Sequence, residues 1–171
     1  MLAFALRYRA ATALFFGSLI LIHVLYEYFG GGITTHHLLA RADMPGISNA
    51  WGILSVTLLS YLVLNRVASR PNRKDGQVIL GFLGGAALGL VMALLWEFGV
   101  EAPLPYLLLV PLLLALFIPV YRGECLLGYV LAMAFTFGGV LPVLFGGILC
   151  LAAFLVYKVI RGGVLWLINR P

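Results

Sequence analysis

Six apolar runs, each about as long as a membrane crossing, follow one another along the chain with only short polar breaks between them. A helix needs about 20 predominantly apolar residues to span a bilayer, so 171 residues hold six such helices and almost nothing besides. The runs cover residues 10–30, 50–67, 78–99, 104–121, 125–140 and 143–160. With 63% hydrophobic residues, 10% charged residues and a mean hydropathy of +1.09, the chain carries more apolar surface than a water-soluble domain of this size could cover. The pattern predicts an all-α fold, a polytopic membrane helical bundle forming a single transmembrane domain over residues 1–171. It leaves no separate soluble domain for catalysis or nucleic-acid binding.

The basic residues orient this bundle, because loops on the cytoplasmic side carry the excess of Arg and Lys. Alternating sides from the first run puts Arg7, Arg9, Arg66, Arg70, Arg73, Lys74, Arg122, Lys158, Arg161 and Arg170 on one face. Of the eleven basic residues only Arg41 falls on the other. The expectation is therefore N-in, C-in, in a multi-pass protein of the cell (inner) membrane. The loop RVASRPNRKDGQ sets this topology and is placed to touch anionic lipid headgroups at the inner face. Glu27, Asp43, Glu97 and Glu101 then lie outside with all three histidines, while Asp75 and Glu124 lie inside.

Arg7 and Arg9 before an apolar run have the outline of a signal peptide. The run is as long as a full span and no small-x-small cleavage site follows it, so it is expected to stay as helix one. Gly30, Gly31 and Gly32 end it. Thr34 or Thr35 then caps a short interfacial helix through His36, His37, Leu38, Leu39 and Arg41, stopped by Pro45 and Gly46; Ser48 or Asn49 caps the second span. Pro111 is expected to kink span four, and the tail GGVLWLINRP reads as a second interfacial helix anchored by Trp166 and Arg170. Gly81, Gly85 and Gly89, four residues apart on span three, let another helix backbone approach closely and could seat a homo-oligomer or membrane-complex partner. Cys125 and Cys150 fall at different levels of the membrane and are expected to pack, not to pair.

The polar chemistry concentrates between His23 and Asp43. His23 and Glu27 are four apart and share a helix face. His23 lies about 10 Å below the outer end of its span by the helical rise. Leu25-Tyr26-Glu27-Tyr28 is echoed by Leu95-Trp96-Glu97-Phe98 in the other outward-running span, as in a degenerate parallel repeat or by chance. Ionisable groups inside a membrane are costly and usually face a cavity or a partner. His23, Glu27 and Glu97 are thus the substrate- or ion-binding candidates, with His36, His37 and Asp43 as a lid over them. The bland alternative is a histidine that hydrogen-bonds a neighbouring helix and locks the bundle. On a helix His36 and His37 would diverge by about 100°, and no HExxH is present. A mixed nitrogen and oxygen site of His23, Glu27 and His37 for a divalent metal ion is the remaining way to use them.

Three function classes fit these residues. The first is a small transporter- or channel-like protein, proton or cation linked, with an outward-facing His/Glu polar site. The second is a membrane-embedded metal-dependent enzyme acting on a lipid or lipid-linked substrate. The third is an accessory or assembly subunit that packs through its glycine face. There is no P-loop, GxGxxG or nucleophile elbow, and catalysis is the less favoured expectation.

Overall fold

A computed structural model describes residues 2–37, 43 and 45–163. Helix α1 (Leu2–Arg7) turns at Tyr8 into α2 (Arg9–Gly30). Gly31 and Gly32 then take φ of 135° and 128°, a region that a side chain disfavours, and the chain leaves the helix there. Two short strands follow, β1 (Thr35–His37) and β2 (Gly46–Ser48), antiparallel with His36 opposite Ile47. Next come α3 (Trp51–Ala68), α4 (Asp75–Glu97), α5 (Leu104–Leu107) and α6 (Val110–Leu114). The last helices are α7 (Gly123–Phe137) and α8 (Val140–Leu155), which runs on as a π-helical turn over Val156–Arg161.

Four helices among the described residues are long and apolar enough to cross a membrane: Arg9–Gly30, Trp51–Ala68, Asp75–Glu97 and Val140–Arg161. Leu104–Leu114 and Gly123–Phe137 are apolar but shorter. Large apolar side chains such as Phe15, Ile22, Leu54, Leu80, Leu113 and Ile148 stand exposed on the outside of the bundle. Water would not tolerate so wide an apolar surface, whereas lipid would.

The loop between α2 and α3 differs from expectation. Thr35, His36 and His37 form a strand where a capped helix is predicted. Ile33, Thr34, Thr35 and Ile47 are β-branched, which favours extended pairing over a helical turn. The rest of that expected helix (Leu38, Leu39, Arg41) and the tail with Trp166 and Arg170 lie outside the described residues. Neither Ser48 nor Asn49 caps α3 through its side chain; the capping position is Ala50.

The fourth run is broken, not merely kinked. Pro111 has no N–H to give, and its ring collides with the carbonyl four residues back. That residue is Leu107, where α5 ends before α6 resumes at Val110. The fifth run starts and ends earlier than its sequence boundaries, at Gly123 and Phe137, because Gly138 turns the chain at φ 69°. Pro142 lies in the first turn of α8, where a missing N–H costs nothing.

Short as it is, α7 is the centre of the bundle. Leu127, Tyr129, Val130, Met133 and Ala134 along it are buried, with α3, α4 and α8 packed around it. Its approach to α4 is backbone against backbone. A Cβ on Gly85 would run into the Cys125 carbonyl, one on Gly128 into the Phe82 carbonyl, and one on Gly89 would stand 2.6 Å from the Tyr129 oxygen. At Gly85 and Gly89 the glycine face of α4 is therefore occupied by α7 of the same chain.

Gly85→Leu should destabilise the protein by at least about 1–3 kcal/mol, the usual cost of overpacking. Gly147→Ala, where an added methyl meets nothing within 4 Å, should leave it unchanged. Thermal unfolding in detergent compares the two.

Candidate functional site

The end of the bundle where α2 finishes and α3 begins gathers a polar cluster around Glu27, in the last two turns of α2. Asn49 donates from Nδ2 to Glu27 Oε1 at 2.7 Å, and the Thr34 backbone N–H donates to Oε2 at 3.3 Å. Glu27 thus ties the start of α3 and the strand β1 back onto its own helix. Asn49 is only 4% exposed. Its Oδ1 lies against Gly138, where a Cβ would collide with it. The turn out of α7 therefore closes the cluster from the far side.

His23 stands one turn below Glu27, with its ring edge-on to Phe135 of α7 at 5.3 Å. Its Nε2 lies 3.5 Å from Glu27 Oε1. That is long for a hydrogen bond, and this buried nitrogen makes no other among the described residues. This buried nitrogen, one turn from a carboxylate, is the least satisfied polar group in the cluster.

His36 completes the set. Alternate strand residues face opposite ways, so of the adjacent pair His36 is half-buried toward the cluster and His37 is exposed. The His36 ring lies against Gly138. Burial lowers its pKa below 6.5; the Glu27 charge works against that shift, and His23 adds to it.

Four of the six sequence candidates can thus be placed with respect to one another. His23, Glu27 and His36 come together. His37 points away, its ring beside Gly46 of β2. Asp43 is exposed in a turn. Glu97 is exposed at the end of α4, a helix packed on α7, whereas Glu27 is on α2, packed on α3. Glu97 makes no hydrogen bond or ion pair among the described residues. Nor are His23, Glu27 and His37 gathered as metal ligands: among the described residues no group of three His, Cys, Asp or Glu is placed to hold one ion.

Three functional-looking residues escape sequence reasoning. Asn49 reads as a helix cap, and nothing in its sequence position signals that it is buried. Arg70 and Glu124 read as loop charges. They form a two-pronged ion pair at the opposite end of the bundle, Nη1 to Oε1 at 2.8 Å and Nη2 to Oε2 at 2.9 Å, with Glu124 3% exposed. This hydrogen bonding raises the Arg70 pKa further. It also fastens the α3–α4 loop to the first turn of α7.

Asn49→Ala should cost about 1.5–3 kcal/mol, the range for a hydrogen bond to a charged group, and should loosen the α2–α3 loop as read by hydrogen exchange. Glu124→Gln, which leaves Arg70 facing a neutral partner, should cost about 3 kcal/mol, the low end for a broken buried pair, since Arg70 keeps 24% exposure. The folded state holds His36 neutral at pH values where the unfolded chain already binds a proton. Its contribution to stability is therefore full above 6.5, and is lost as pH falls through its lowered folded-state value. His36→Gln should flatten this acid-side decline in the thermal midpoint. Comparison with known proteins matches no family model, no curated protein and no solved structure, so what this cluster does must follow from its own chemistry.

Proposed function

We propose that the chain is a multi-pass protein of the inner membrane that moves protons, as a small transporter- or channel-like device, through an outward-facing site at His23 and Glu27. Six crossings make up the bundle, the fourth being the broken Leu104–Leu114 and the fifth the short Gly123–Phe137. Both termini lie on the basic side. Supporting this arrangement, the Arg70–Glu124 pair lies at the end of the bundle where α3 finishes and α7 begins. The His/Glu cluster lies where α2 finishes and α3 begins.

The observation that carries the proton-linked proposal is the buried His23 Nε2, unpartnered but 3.5 Å from Glu27 Oε1. Histidine exchanges protons near neutral pH, and a nearby carboxylate stabilises the charged ring. Glu27 is held still by Asn49 and the Thr34 N–H, so a small movement of the His23 ring makes or breaks the relay. His36, kept neutral by burial, adds no standing positive charge at the entrance. The metal-dependent enzyme is the weaker proposal, since its ligand set of His23, Glu27 and His37 is dispersed.

Purified protein in liposomes under an imposed pH gradient tests the idea. Wild type should dissipate the gradient faster than empty liposomes, and His23→Gln and Glu27→Gln should fall to the empty-liposome rate while eluting as folded protein. Glu97→Gln should keep the wild-type rate. A wild-type rate equal to that of empty liposomes, or His23→Gln flux equal to wild type, would refute it.

A further inference from the structure

A cavity of about 600 Å3 opens between α4, α7, α8 and the broken fourth run, within the roughly 300–1,000 Å3 of small-molecule sites. It exists because the segment around Pro111 cannot continue as a full-length helix and leaves that side of α4 and α8 uncovered. Along α4 its wall runs from Gln77 to Leu88, about 16 Å at 1.5 Å per residue. A hydrocarbon core is about 30 Å thick. The cavity is therefore about one leaflet deep, and it begins at the basic end of the bundle.

Its wall is apolar over most of that depth, with Leu80, Leu114 and Leu149 among its residues, and its charged side chains, Arg122 and Glu124, are neighbours at the basic end. The two charges do not cancel one another there. Both Glu124 oxygens are taken by Arg70, and Arg122 makes no hydrogen bond or ion pair through its side chain among the described residues. A second cation stands close by. Tyr157 lines the cavity, and the Arg161 guanidinium lies 4.8 Å above its ring. An apolar slot one leaflet deep, with surplus positive charge at its headgroup end, matches an anionic amphiphile in both shape and charge.

We propose that this cavity is a binding site for one anionic phospholipid of the basic-side leaflet, with an acyl chain along α4 and α8 and the phosphate at Arg122. The site is distinct from the 66–75 loop, whose charges face headgroups in general. It is also independent of proton movement at His23. Gly84 supplies a clean probe, because it lines the cavity and a side chain built there meets nothing within 4 Å. A large residue at that position fills the cavity without displacing protein.

The test is native mass spectrometry of the full chain in neutral detergent, with equal amounts of dioleoyl phosphatidylglycerol and dioleoyl phosphatidylcholine. One retained lipid is expected, with phosphatidylglycerol favoured about fivefold for the one unpaired cation at the phosphate. Arg122→Gln should abolish that preference, Arg73→Gln should not change it, and Gly84→Phe should remove the retained lipid while keeping the thermal midpoint. Stoichiometric lipid on Gly84→Phe, or an unaltered preference in Arg122→Gln, overturns the proposal. Should Arg122→Gln not fold, the Gly84→Phe result alone decides.

Discussion

The backbone-to-backbone approach of α4 and α7 is the contact on which the rest of the bundle depends. Glycines at 85, 89 and 128 let two main chains meet where any side chain would hold them apart. Lipid offers no hydrophobic drive to bring helices together, so close van der Waals packing of this kind has to do it. Once α7 is drawn in, α3 and α8 close over its remaining faces and bury Val130 and Ala134 completely.

Fifteen residues of helix reach only about 22 Å, short of the roughly 30 Å of a hydrocarbon core. A helix this short draws the polar groups at its ends toward the apolar body of the bundle, where they need protein partners. The two polar clusters meet that need. At one end Arg70 holds Glu124 in the first turn, and at the other end Asn49 covers Gly138 and hands the contact on to Glu27. Glu27 consequently has two duties: it anchors the loop through both oxygens, and it faces the unpartnered nitrogen of His23. One carboxylate thereby links the anchoring of the loop to the surroundings of the His23 ring.

The features that were legible in the sequence are those governed by local rules. Apolar length marked four long helices within a few residues, the glycine run marked the end of α2, and the spacing of His23 and Glu27 put them on one face. What was missed depends on residues far apart in the chain. Arg70 and Glu124 are 54 positions apart and Asn49 and Glu27 are 22 apart, and no periodicity announces such pairs. The choice between strand and helix at His36 turned on a pairing partner, Ile47, beyond the loop. Glu97 was attractive because its tetrapeptide echoes that around Glu27, yet similar words at similar depth say nothing about which helices become neighbours.

The central place of a helix so late in the chain has a consequence for biosynthesis. A ribosome makes α2, α3 and α4 before α7, since chains emerge from the N-terminus. The glycine face of α4 and the Arg70 loop thus remain an open slot until the fifth apolar run arrives. Helix α7 has only fifteen residues and a buried acid in its first turn, features that favour packing beside a waiting partner over packing into lipid alone. The first half of the chain acts as an internal template for the second, and maturation ends when the slot is filled.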